Sequence, residues 1–97
     1  MKILAIEVEV KGVELGGFTE ERLRAEARRA WELQQAGVVR EIYFRADRTA
    51  AVLVLECADV AAAAAALATL PLVEAGLIAF DLIPLVAYPN FARLFAP

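Results

Sequence analysis

Glu7, Asp81, Tyr43 and Arg45 are the side chains whose types and spacing could do chemistry. Two carboxylates can pass a proton, a phenol can donate a hydrogen bond, and a guanidinium can hold an anion. Each residue alternates with apolar neighbours in an extended segment: Glu7 follows Ile3 and Ala5, Tyr43 and Arg45 flank Phe44, and Asp81 lies between Phe80 and Leu82. Side chains in a strand point alternately to its two faces, so all four are expected on one sheet face, opposite an apolar set that packs under helices. If a second subunit covers that face, burial raises a carboxylate pKa towards the range of a useful proton shuttle, and Arg45 could hold an anionic substrate. The competing reading gives the same residues to ion pairs and hydrogen bonds between subunits.

The chain has no histidine, which removes the commonest general base, the usual activator of Ser or Cys, and the imidazole ligand of zinc or haem. Proton transfer must fall to Asp, Glu, Tyr, Lys or water. Cys57 is the single cysteine, so an internal disulfide and a thiolate cluster within one chain are both excluded, and it reads as an inert thiol at a strand end. Gly16-Gly17 has neither dinucleotide nor P-loop spacing. Imidazole-bound or thiolate-bound metal centres and nucleotide cofactors are therefore not expected.

Elements to position these groups recur twice. Lys2–Val10, Thr19–Ala36 and Val38–Arg45 read as strand, helix and strand, and Ala50–Cys57, Asp59–Leu70 and Leu77–Val86 repeat the pattern. That order predicts a ferredoxin-like βαββαβ sandwich of the α+β class, spanning residues 1–97 as one domain, with strands in the order fourth, first, third, second. In the first strand the set Leu4, Ile6, Val8 and Val10 is expected beneath the helices. Thr19 and Asp59 are the expected helix caps, and Gly37 the stop of the first helix. A second candidate pocket lies between helices and sheet, lined by Trp31, Leu23, Phe44 and Phe80. The long KGVELGGF connection reads as a flexible loop or a lid over a pocket, and the apolar C-terminal segment with Tyr88, Phe91, Leu94 and Phe95 as one that docks on its own subunit or on a neighbour.

Composition narrows the partners. The hydrophobic fraction is 61% in a chain of 97 residues, high for a protein this small, so an isolated subunit is expected to leave an apolar sheet face open and to form a homodimer or a higher homo-oligomer. With a net charge of −3 and no basic stripe, nucleic acid is not an expected partner. The first strand meets acidic residues too early for a signal peptide, and the alanine run ending at Pro71 is too short to cross a membrane, so a cytoplasmic protein is expected.

Leu70-Pro71-Leu72 at the end of the second helix, Pro84-Leu85 after the last strand, Tyr88-Pro89, and the stretches WELQQAG from Trp31 and IYFR from Ile42 together resemble the muconolactone isomerase-like family. The resemblance implies a dimeric α+β barrel, in which two four-stranded sheets meet face to face. It also implies an isomerase that needs neither metal nor organic cofactor and moves a double bond in a small unsaturated lactone during aromatic catabolism. Glu7 and Asp81 would then be the catalytic carboxylates. Tyr43, Arg45, Trp31 and Tyr88 would contact the substrate, Tyr88 standing where the family commonly has histidine. A non-catalytic binding or accessory module is the alternative from another class, and a cofactor-free oxygenase comes third.

Overall fold

The computed structural model describes residues Met1–Pro97. Four strands, β1 (Lys2–Val8), β2 (Val39–Phe44), β3 (Ala51–Glu56) and β4 (Ala79–Leu85), form one antiparallel sheet in the order β2-β3-β1-β4. This is the strand order expected from the sequence. Three helices connect them: α1 (Glu20–Gln35), α2 (Val60–Leu67) and the single turn α3 (Pro71–Glu74).

Local chemistry sets the helix ends. The Thr19 side chain accepts a hydrogen bond from the Arg22 backbone N–H at 3.1 Å, and Glu20 and Glu21 occupy the positive end of the α1 dipole. Asp59 caps α2 in the same way, accepting from Ala62 N–H at 2.8 Å. Gly37 follows α1 with φ 79°, a left-handed conformation that disfavours a side chain. The second helical segment is shorter than expected: α2 ends at Leu67, and Pro71 opens α3 from its first turn, where its missing N–H is not needed.

Helices and sheet enclose a core of Ile3, Ala5, Val39, Leu53 and Leu55 from the strands, with Leu33, Ala63, Leu67 and Leu70 above them. The expected assignment of faces in β1 is thereby reversed. Ile3 and Ala5, both fully buried, face the helices, while Leu4, Ile6 and Val8 lie on the uncovered face. Both sets are apolar, so alternation along β1 does not identify the inner one. Neighbouring strands do: Ile3 pairs with Leu55 and Ala5 with Leu53, so all four side chains pack into a single core.

The connection after β1 has a local anchor at its end. It forms a 3₁₀ turn over Leu15–Gly17, and the Arg22 guanidinium donates to the Gly17 carbonyl at 2.7 Å. A Cβ on Gly17 would stand 2.6 Å from Leu77 Cδ2, so this glycine permits a close approach to the segment before β4. At the other end, Tyr88 meets Phe91 edge to face with ring centroids 4.9 Å apart, but Phe91, Leu94 and Phe95 all remain exposed. The C-terminal segment thus does not bury its apolar side chains on its own subunit. No helix is long and apolar enough to cross a membrane.

Candidate functional site

A cavity of about 320 Å³ lies between α1 and the sheet. Its floor is formed by Glu7 of β1, Ile42 and Phe44 of β2, Ala51 and Leu53 of β3, and Phe80 of β4. Leu23, Glu26, Ala27 and Ala30 of α1 roof it, and Leu70, Leu72 and Ile78 close one end. Eleven of these thirteen residues are hydrophobic, so the two carboxylates are its only charged groups. The small side chains of Ala27, Ala30 and Ala51 leave the space that larger residues would fill. Phe44, 71% exposed, gives the floor an apolar rim open to solvent.

Each carboxylate is held by the backbone through one oxygen. Glu7 Oε1 accepts from the Ala51 N–H at 2.9 Å, and Glu26 Oε1 accepts from the Leu72 N–H at 2.9 Å. Neither second oxygen has a protein hydrogen-bond partner, which leaves an acceptor on each residue for a ligand. Burial is the main influence on Glu26 and pushes its pKa above the usual carboxylate range; the Leu72 hydrogen bond opposes this, and the Glu7 charge adds to the rise. Proximity of two like charges in an apolar enclosure favours the protonated form of one of them.

The four polar residues singled out in the sequence are not brought together. Glu7 pairs with Phe80 across β1 and β4, on the face towards the helices, whereas Asp81 pairs with Ile6 on the opposite face. Tyr43 and Arg45 do belong to that opposite side, but β2 and β4 are the two edges of the sheet. Both groups are also engaged locally. Tyr43 donates its hydroxyl proton to Glu41 Oε1 at 2.7 Å, and Arg45 grips Asp47 through two hydrogen bonds, at 2.8 and 2.7 Å. That pairing holds the Asp47 carboxyl below its ordinary pKa, and the hydrogen bond to Glu41 raises the phenol of Tyr43.

Of the second pocket expected between helices and sheet, Leu23, Phe44 and Phe80 line the cavity. Trp31 does not: it follows Ala30 on α1, turns away from the roof, and is 60% exposed. Tyr88 lies outside the cavity in the exposed C-terminal segment. Cys57 follows β3, and burial pushes its thiol pKa up, away from a reactive thiolate.

Glu26 is the site residue that sequence reasoning missed, because the run from Arg22 to Arg29 alternates charges like a solvated helix face. A signal was nevertheless present. Glu26 stands three residues after Leu23 and four before Ala30, inside the apolar stripe of α1 rather than opposite it. A carboxylate on the buried stripe of an amphipathic helix needs a partner, and here the Leu72 backbone supplies it.

A four-stranded antiparallel sheet with its helices on one side, enclosing an apolar cavity with two carboxylates, defines an α+β sandwich able to take up a small molecule between its layers. The profile of the muconolactone delta-isomerase family matches residues 5–91, and the chain belongs to that family. Its fold is similar to that in a crystal structure of muconolactone isomerase, with a TM-score of 0.72 and 22% sequence identity over 93% of each chain. No curated protein matches the sequence.

Proposed function

We propose that the protein is a cofactor-independent isomerase that moves a double bond in a small unsaturated cyclic carbonyl compound of the lactone type. The observation that carries this reading is the convergence of Glu7 and Glu26 in one apolar cavity, in a member of the muconolactone delta-isomerase family. Glu7, through its free oxygen, removes a proton from the carbon at one end of the unsaturated system. The electron pair from the broken C–H bond delocalises towards the carbonyl oxygen as a dienolate. Glu26, whose burial favours the neutral acid, donates a hydrogen bond to that oxygen while the charge develops. Return of the proton from Glu7 to the other end of the system gives the isomer and regenerates the carboxylate. No net redox change or external reagent is required.

The apolar surroundings strengthen these effects by excluding water from the reacting atoms. A direct test is exchange in deuterated water, followed by proton NMR, with a panel of unsaturated lactones. Loss of signal at the carbon positions of the unsaturated system, faster than in buffer and abolished in Glu7→Gln, supports the mechanism. No exchange above buffer with any lactone overturns it.

The same reading includes a homodimer. Leu4, Ile6, Val52, Val54 and Ile83 share the sheet face that no helix covers, and this set is more apolar than the sequence suggested. Two such faces packed together would form the α+β barrel and remove about 800 Å² per subunit from water, the size of a standard interface. The cavity, on the other side of the sheet, would stay accessible. The exposed Phe91, Leu94 and Phe95 supply further apolar surface for contact with the partner.

A further inference from the structure

Glu7 lines two spaces at once. One is the apolar cavity between α1 and the sheet; the other is a polar cleft of about 150 Å³, where Glu7, Val8 and Glu9 at the end of β1 face Arg48, Thr49 and Ala50 of the β2–β3 connection. Arg48 is the only cation lining either space. Its connection is closed by backbone hydrogen bonds, from the Arg45 N–H to the Ala50 carbonyl at 2.8 Å and from the Ala50 N–H to the Arg48 carbonyl at 2.9 Å. The next residue, Ala51, holds the Glu7 carboxylate. Base and guanidinium are thus anchored on one short stretch of chain.

Arg48 is also unspent. The ion pairs of the protein join the Met1 ammonium to Glu56, Arg29 to Glu32 and Arg45 to Asp47, so Arg48 has no carboxylate partner of its own. Asp47, its neighbour in sequence, is taken by Arg45 through two hydrogen bonds, and Arg22 is taken by the Gly17 carbonyl. Glu9 shares the cleft, but it is exposed, and solvent screens its charge.

With Glu26 as the neutral acid of the mechanism above, Glu7 carries the one charge of the apolar cavity. A substrate carboxylate placed among Phe44, Phe80 and Leu53 would lose its water with nothing to replace it. On a short side arm of the ring it can stay in the cleft, where the Arg48 guanidinium offers paired N–H donors and Thr49 a hydroxyl. Holding the arm there sets the ring beside Glu7 and so orients the reacting C–H towards the base.

We propose that Arg48 is a specificity-determining residue, resting on the isomerase reading above, that binds the side-arm carboxylate of an anionic unsaturated lactone whose ring occupies the cavity.

The test compares two lactones that differ in one group. β-Angelica lactone carries a methyl where muconolactone carries a carboxymethyl group. Binding to the full-length protein is measured by calorimetry, and hydrogen exchange on each lactone by NMR in deuterated water, for the natural sequence, Arg48→Gln and Arg48→Lys. The Arg48 side chain is exposed and without an ion-pair partner, so both variants keep the fold. The expected result is binding of muconolactone about tenfold or more tighter than β-angelica lactone in the natural protein, the gain of a charge-assisted pair. Arg48→Gln should close that gap by weakening muconolactone, and Arg48→Lys, which keeps the charge without the planar fork, should restore part of it. Equal or tighter binding of β-angelica lactone by the natural protein, a preference that survives Arg48→Gln, a loss of the same size for both lactones, or failure of both to bind overturns the proposal. If the preference depends on Arg48 but neither lactone exchanges hydrogen, the role of Arg48 in binding stands and the isomerase reading falls. Exchange on both lactones without a preference has the opposite meaning: the isomerase reading stands and the role of Arg48 falls.

Discussion

Glu7 on β1 and Glu26 on α1 line opposite walls of one cavity, one rising from the sheet and the other descending from the helix above it. The charge on Glu7 reinforces the effect of burial on Glu26. Their backbone anchors, Ala51 and Leu72, come from two further parts of the chain, so the pair is fixed by β3 and α3 as well as by its own elements. In the mechanism proposed above, Glu7 serves as the base and Glu26 as the acid, with no histidine in the chain.

Removing the base should cost more than removing the acid. Glu7→Gln is expected to lower the rate of lactone hydrogen exchange by about 10²–10⁴-fold, the usual contribution of a positioned general base. Glu26→Gln, which can still donate a hydrogen bond through its amide, should cost less. Rates from NMR on both variants decide the order, and a larger loss in Glu26→Gln would reverse the two roles.

Glu26 also links stability to pH. Its folded pKa lies above the ordinary value of 4.5, so the folded state binds the proton more tightly than the unfolded chain does. The resulting stabilisation is complete below the unfolded pKa and is lost as pH rises through the raised folded value. Glu26→Gln removes that dependence. Melting curves collected across this window should therefore fall more steeply with rising pH in the natural protein than in the variant, and parallel curves would contradict the coupling.

The opposite faces occupied by Glu7 and Asp81 give a further contrast. Asp81→Asn should leave hydrogen exchange within about twofold of the natural rate, since its carboxylate has no access to the cavity, whereas general-base loss costs orders of magnitude. Steady-state rates measured on a variant of unchanged oligomeric state test this. A loss comparable to that of Glu7→Gln would move the chemistry to the uncovered face.

Ile6→Lys should prevent pairing of subunits. It would put an ammonium group in the middle of the uncovered apolar face, where a dimer interface would have to bury it without a partner. Sedimentation should find a dimer for the natural sequence and a folded monomer for the variant.

Packing and exposure separate Leu55 from Trp31. Leu55 is fully buried against the helices, so Leu55→Ala should destabilise the fold by about 2–5 kcal/mol. Trp31 is 60% exposed, and Trp31→Ala should stay within about 0.5 kcal/mol of the natural stability. Urea unfolding of both variants checks the pair, and a large loss from Trp31→Ala in the monomeric Ile6→Lys background would contradict the exposed position of this side chain.

The order of elements, the caps at Thr19 and Asp59, the strand order and the family were all legible in the residues themselves, because period, turn chemistry and the βαββαβ sequence depend on local spacing. So were Leu23, Phe44 and Phe80 as lining of a pocket between helices and sheet. Which face of the sheet carries Glu7 was decided only by tertiary structure. In β1 both alternating sets are apolar, so period 2 gives the alternation without its direction; pairing with Leu53 and Leu55 under the helices turns Ile3, Ala5 and Glu7 inward and leaves Asp81 outside. Glu26 joined the site for a related reason. Its charge suits solvent and its helical position suits the core, and the Leu72 N–H from a distant turn, together with the space left by small alanines, makes burial of that carboxylate tolerable.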